Sequence, residues 1–296
     1  MNSKVSLLES IQNGLSESLG KTHPLEWITD LSGGDINQAA LLKSGEEKWF
    51  VKYRFNAPPG MFEAEALALG EISASGCIKA PTAIAHGSVN DTAWLLLEYL
   101  ELLPGGPASL LGEQLAALHR VTGNHYGWSI NNYIGTTPQH NRAYDNWMDF
   151  WRDCRLQPQL EMAANGGFGG RLIDRGERLL ANLGPLLQGH QPIASLLHGD
   201  LWAGNMAYTP AGQPVIFDPA SYYGDREADI AMTELFGGFE TSFYSAYQSH
   251  FPLSDGYPLR RELYNLYHVL NHLNLFGATY LARSEHIIDR LLAQIN

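Results

Sequence analysis

The stretch that decides the fold is Leu196–Asp229, LLHGDLWAGNMAYTPAGQPVIFDPASYYGDREAD. Asp200 and Asn205 sit in a loop, and Asp218 ends the second arm of a hairpin whose strands read Asn205 to Tyr208 and Pro214 to Phe217, around the turn Thr209-Pro210-Ala211-Gly212. A hairpin folds its far end back to its start, so the spacing predicts that Asp218 returns beside Asn205. Carboxylate and amide oxygens are the donors that hard Mg²⁺ takes alongside waters and substrate phosphates, which makes Asn205 and Asp218 its candidate ligands. Asp200, ahead of them, is left to orient a nucleophile and accept its proton. A solvated polar turn accounts for any one of these positions. It does not account for H-G-D-x-x-x-x-N followed by a strand-terminal D-P-A.

Upstream, the chain opens with apolar residues at helical spacing from Val5 to Leu19, then short alternating segments, Gln38 to Leu42 and Lys48 to Tyr53, that read as a β-hairpin. A helix follows Pro59 from Met61 to Ile72, and a strand runs from Ala93 to Tyr99. At 100° per residue Glu65 falls within the arc of Phe62, Ala66, Leu69 and Ile72, whereas Glu63 and Glu71 point away. A carboxylate on a buried face wants a cation, and Lys52 in the apolar strand Trp49-Phe50-Val51-Lys52-Tyr53 is the obvious partner. That is the Lys–Glu pair that holds ATP phosphates in kinase-type sites. Ser32-Gly33-Gly34-Asp35-Ile36-Asn37 supplies small residues, Gly33 and Gly34 above all, where backbone N–H groups can approach phosphate. Gly20-Lys21-Thr22 only imitates a Walker loop: its first glycine would fall at Leu15, and Gly20 reads as a helix C-cap.

Pro104-Gly105-Gly106-Pro107 is the strongest punctuation, and a lobe boundary is placed just before it, giving a β-rich lobe over 1–99 and a larger helical lobe over 100–296. Helical patterns fill the second: Leu110 to Arg120, Asp145 to Leu156, Leu172 to Leu187, Glu227 to Phe236, Arg260 to Phe276 and Glu285 to Ile295. His119, Trp147, Phe150, Trp151 and Cys154 read as core, Asp225 and Asp229 as helix-start residues, and His198 as a backbone anchor. With 19 Lys and Arg against 31 Asp and Glu in 296 residues, the net charge is −12. Such a surface repels a phosphate backbone and an anionic leaflet, so neither nucleic acid nor membrane is an expected partner. No apolar run suits a membrane helix or a signal peptide, so a cytoplasmic location is expected. Cys77 and Cys154 support neither a disulfide framework nor a thiolate metal site.

These residues resemble the fructosamine-3-kinase (ketosamine kinase) family, relatives of aminoglycoside and choline kinases. The marks are MFEAEAL at 61–67, NYIGTTPQ-x-N at 132–141, R-L-x-P-Q-L-E at 155–161, HGDLW-x-GN at 198–205 and FDPASYYGDREADIAMTELFGGF at 217–239, spread nearly end to end. The resemblance implies an α+β, protein-kinase-like two-lobe fold with ATP and Mg²⁺ as cofactors. It also implies Asp200 as catalytic base, Asn205 and Asp218 as metal ligands, Lys52 and Glu65 as the phosphate-positioning pair, and Asp229 as a brace under the catalytic loop. Glu98-Tyr99-Leu100 would be the hinge presenting backbone to adenine. The implied reaction is phosphorylation of the sugar C3 hydroxyl of a fructosamine or ribulosamine, free or protein-bound, giving an unstable ketoamine phosphate and hence deglycation. Trp202, between Asp200 and Asn205, would offer its ring to that sugar; the alternative is that it packs under the loop as core. Residues 32–37 lack the cysteine that some relatives carry, so no redox-linked dimer is expected there, and a monomer is. The rival readings are a kinase for another hydroxylated amine and a non-catalytic ATP-binding regulator; the intact Asp200, Asn205, Asp218 and Lys52 speak against the second.

Overall fold

A computed structural model describes residues 2–31 and 36–295. Gly33 and Gly34, expected at the phosphates, lie outside the described residues. The elements in chain order are α1 (Asn2–Leu19), β1 (Glu26–Leu31), β2 (Gln38–Ser44), β3 (Glu47–Phe55), α2 (Met61–Ala74), β4 (Ala83–Val89), β5 (Thr92–Glu98) and α3 (Ala108–Leu118). Next come β6 (Asn132–Ile134), β7 (Thr137–Gln139), α4 (Trp147–Trp151), α5 (Gln157–Asn165), α6 (Arg171–Leu180), β8 (Ser195–Leu197), β9 (Met206–Tyr208), β10 (Pro214–Ile216) and β11 (Tyr222–Gly224). The chain ends with α7 (Glu227–Leu235), α8 (Thr241–His250), α9 (Tyr257–Phe276) and α10 (Leu281–Ala293).

The chain divides into two compact units, 1–106 with 207–219, and 107–206 with 220–296. The division differs from the one placed at 99/100. Leu103 pairs with Tyr208 and Lys79 with Val215, and these bridges tie the β9–β10 hairpin to the first unit. The first unit is an antiparallel sheet in the order β1-β2-β3-β5-β4. Alternation along β2 and β3 sends Ala40, Leu42 and Val51 to one face, where they meet Leu7, Ile11 and Leu15 of α1 and Trp94 of β5. Gly20 follows α1 at φ 69°, the left-handed conformation a C-cap glycine adopts.

The second unit is mainly helical. Trp147, Phe150 and Trp151 lie in its core, as their spacing predicts, where Trp147 meets Tyr264 and Trp151 meets Tyr264 and Tyr267 of α9 edge to face. The helix expected over Asp145 to Leu156 starts instead at Trp147, where Asn146 caps it by accepting from Asp149 N–H. It then continues through a π turn, Arg152–Leu156, into α5. Pro158, with no N–H to donate, sits in the first turn of α5 just past that π turn. The helix expected over Leu172 to Leu187 breaks after Leu180, and Gly184-Pro185 opens a separate 3₁₀ turn over Gly184–Leu187.

Two glycines separate close packing from mere propensity. A Cβ on Gly112 of α3 would lie 2.3 Å from the carbonyl oxygen of Phe243 in α8, whereas one on Gly70 of α2 would meet nothing within 4 Å. Helix propensity favours alanine by up to about 1 kcal/mol at both. Overpacking against backbone costs about 1–3 kcal/mol. Thermal or urea melting should therefore show Gly112→Ala destabilised and Gly70→Ala unchanged or slightly stabilised.

Candidate active site

In the first unit, β3 carries Lys52 inward, 6% exposed, opposite Leu95 of β5. Its Nζ lies 2.6 Å from Glu65 Oε1 on α2 and 2.7 Å from Asp218 Oδ1, just after β10. The helical phase is as read: Glu65 is buried beside Phe62, Leu69 and Ile72, and Glu63 is exposed. Burial alone would lower the Lys52 ammonium; the Asp218 and Glu65 carboxylates outweigh it and hold its pKa above the ordinary range. Asp218 itself has φ 59°, in the left-handed region, and its side chain remains 44% exposed.

The hinge stretch lies in the same unit. The β3/β5 ladder ends at Trp49 opposite Glu98, so Tyr99 and Leu100 run on beyond it. The Glu98 carboxylate accepts from Thr82 N–H and Thr82 Oγ1 and pairs with Lys79, which spends the side chain on fixing the turn.

The second unit holds the catalytic-loop candidates. Asp229, 1% exposed, accepts from His198 N–H at 2.7 Å through Oδ2 and from Gly199 N–H at 2.8 Å through Oδ1. The backbone bends there through Gly199 at φ 83°, where a Cβ would strike the Ala220 carbonyl oxygen at 2.1 Å. His119 is not a catalyst but part of this anchor, with Nε2 on Asp229 Oδ2 and Nδ1 on the Tyr247 hydroxyl. Asn205 donates from Nδ2 to the Asp200 carbonyl oxygen at 2.8 Å and reaches Asp200 Oδ2 at 3.4 Å. Its amide oxygen is thereby turned away from that bond. Trp202 is not core: it is 38% exposed, its ring lies against Gly204 and its edge meets Phe236.

Sequence reasoning missed the buried polar frame around this loop. Asn132 donates to the Ser221 carbonyl and Gln139 to Ala220, Asn141 donates to Asn132, and Arg155 donates to Asn141. The Tyr267 hydroxyl closes the set on Gln139 Oε1. NYIGTTPQ-x-N is thus a clamp on the segment that follows D-P-A. A second cluster, His190, Asp225 and Glu227, has donor atoms within 4.8 Å of one another. Arg260 takes both oxygens of Glu227, and Asp225 receives the Tyr264 hydroxyl and Glu227 N–H, so protein donors already fill it. His268 was missed as well: it is buried on α9, and its Nδ1 lies 4.0 Å from Asp200 Oδ1. The available signal was a histidine within a helical run buried nearly all round.

The model of the fructosamine kinase family matches residues 7–294. The chain belongs to the fructosamine kinase family. It is 42% identical to the "Probable ketoamine kinase" of Synechocystis sp., with 96% of each chain covered. It is 38% identical to the chloroplastic protein-ribulosamine 3-kinase of Oryza sativa subsp. japonica, covering 93% of this chain and 82% of that one. Among solved structures, a candidate fructosamine-3-kinase of Haemophilus somnus superposes with a TM-score of 0.87 at 30% identity, covering 95% of this chain and 96% of that one. The protein-kinase-like architecture also unites the fructosamine kinase family with aminoglycoside phosphotransferases and choline kinase, at identities that speak for the fold alone. Membership makes the chain an ATP-dependent phosphotransferase, a class that works with a divalent metal. No helix among the described residues is long and apolar enough to cross a membrane.

Asp229 gives this site a measurable pH signature. Burial would raise its carboxyl, but His119, the electrostatic influence of His198 and the Gly199 N–H outweigh that and hold it below the usual range. A folded-state pKa below the unfolded one contributes stability that is present above about pH 4 and is lost as pH falls through the folded value. Asp229→Asn faces one loop N–H with an amide NH₂ and should cost about 1–3 kcal/mol at neutral pH. The gap in melting temperature between the native protein and the variant should narrow on acidification below pH 4.

Proposed function

We propose that this chain is a ketoamine kinase that moves the γ-phosphoryl group of ATP to the C3 hydroxyl of a sugar linked through C1 to an amine, a ribulosamine or fructosamine such as those formed on lysine side chains. The observation that carries the reading is the Asp229-anchored loop bearing Asp200, in a chain related over nearly its whole length to a protein-ribulosamine 3-kinase. In this reading Asp200 accepts the C3 hydroxyl proton as the new O–P bond forms and the bond from γ-phosphorus to the bridging oxygen breaks, releasing ADP. Lys52, fixed by Glu65, binds the phosphates. The backbone of Glu98, Tyr99 and Leu100 meets adenine, and His198 and Asp229 support the loop.

The donor set fits a hard divalent cation, Mg²⁺ in this proposal. Asn205 has spent its NH₂ on the Asp200 carbonyl, leaving the amide oxygen as donor, and Asp218 gives Oδ1 to Lys52, leaving Oδ2. When bound, the cation would offset phosphate charge; Asn205 and Asp218 would hold it. The product carries phosphate on the carbon next to the C2 carbonyl; once the C1–C2 enaminol forms, phosphate leaves C3, and water cleaves the C1–N bond of the resulting imine, freeing the amine and a 3-deoxy dicarbonyl without a hydrolase. That is deglycation.

An ATP-consumption screen over ribulosamines, fructosamines, free sugars, choline and aminoglycosides tests the substrate class; turnover confined to choline or aminoglycosides overturns it. Asp200→Asn should lower kcat by about 10²- to 10⁴-fold while leaving the ATP dissociation constant near that of the native protein. Near-normal kcat would remove Asp200 as base.

The exposed ring of Trp202 supports a role for it at the sugar. Trp202→Ala should raise KM for a ribulosamine and lower kcat through misplacement, with KM for ATP and the melting temperature nearly unchanged. A lowered melting temperature with both KM values disturbed would return the ring to a packing role.

A further inference from the structure

His268 is 3% exposed on α9. Its Nδ1 is buried with no hydrogen-bond partner, and it lies 4.0 Å from Asp200 Oδ1. That separation is too long for a hydrogen bond between the two. A buried ring nitrogen without a partner is costly, which makes the position receptive to a group that satisfies it. Burial drives the imidazole pKa down to about 3, and His272 pushes the same way. The ring is therefore neutral at working pH and forms no ion pair with Asp200. A neutral imidazole nitrogen donates or accepts according to tautomer, and a hydroxyl is the small group that answers either.

We infer that Asp200 Oδ1 and His268 Nδ1 form a two-point receptor for neighbouring hydroxyls of the sugar, Asp200 taking the reacting C3 hydroxyl and His268 the C4 hydroxyl beside it. Gauche vicinal oxygens lie about one hydrogen-bond length apart. That is shorter than the 4.0 Å between the two protein atoms, a separation that two adjacent hydroxyls can span with one bond to each; because Nδ1 is itself covered, the His268 ring or its cover shifts as the sugar enters. An acceptor with a lone hydroxyl, such as choline, would satisfy Asp200 and leave Nδ1 orphaned. A site built to bond a hydroxyl discriminates against analogues lacking it for that reason. His268 is then a specificity determinant for vicinal diols. This inference rests on the ketoamine reading above.

The test compares a ribulosamine with its 4-deoxy analogue on the native protein, on His268→Leu and on His268→Asn. The native protein should lose roughly ten- to hundredfold in kcat/KM on the 4-deoxy substrate, the size of one hydrogen bond to a buried group. His268→Leu should lose a similar factor on the ribulosamine and little more on the analogue, with KM for ATP unchanged throughout. His268→Asn, which keeps a hydrogen-bonding group, should recover part of the loss on the ribulosamine and none on the analogue. Equal native kcat/KM on the two substrates overturns the inference without recourse to any variant, and so does a His268→Leu penalty of the same size on both. If the native protein turns over no ketoamine at all, the ketoamine reading fails first and takes this one with it.

Discussion

One buried carboxylate organises the helical unit. Asp229 accepts two successive backbone N–H groups, His198 and Gly199, and a third bond from His119. A carboxylate withdrawn from water is tolerable only when its oxygens are saturated with donors. The same saturation fixes the peptide planes on either side of Gly199, and Asp200 follows immediately. The direction in which the candidate base leaves the backbone is thus set by an interaction that never touches substrate. Asn205 adds the next restraint, closing the loop on the Asp200 carbonyl.

The side chains that mark the family most specifically mostly do not perform chemistry. Asn132, Gln139, Asn141 and Arg155 spend their hydrogen bonds on one another and on the carbonyls of Ala220 and Ser221. Arg155, fully buried, also lies over the rings of Phe150 and Tyr222. Polar groups this deep are costly unless paired, so few sequences build such a network. That gives a physical reason for a long, peculiar motif well removed in sequence from Asp200.

Sequence legibility follows the strength of the periodic signal. The first-unit hairpin, α1 and α2 were readable because their apolar spacing is regular, and the Lys52–Glu65 pair followed from helical phase alone. β1 was not readable, since only Trp27 and Leu31 are partly covered and the residues between them are exposed, nor was β4, built on small residues with His86 and Gly87. α8 buries only Phe243 and Tyr247, too sparse a stripe to announce a helix. β6, β7, β8 and β11 are three residues each, too short to show alternation; β9 and β10, equally short, were readable from the turn between them. Of the site, residues whose chemistry is written in their type were legible: Asp200, Asn205, Asp218, Lys52 and Glu65. His268 was not, because a histidine on a buried helix becomes informative only when its orphaned nitrogen and its distance to Asp200 are seen together.

Charge at Lys52 limits what that residue can do. Its ammonium touches two carboxylates, Glu65 and Asp218, so the group is outnumbered locally, in a chain whose net charge is already −12. Lys52 alone cannot make a triphosphate welcome. The two carboxylates are not equivalent, however. Glu65 is nearly as buried as Lys52 and holds it in place, whereas Asp218 is 44% exposed and has an oxygen to spare. A polyanion is accommodated only if positive charge arrives with it, and in the proposed reading Asp218 is the carboxylate that receives that charge. Requiring a metal–nucleotide complex rather than free nucleotide is on this view an electrostatic consequence of how β3, α2 and the end of β10 are joined, and Glu65 remains as the partner that keeps Lys52 extended.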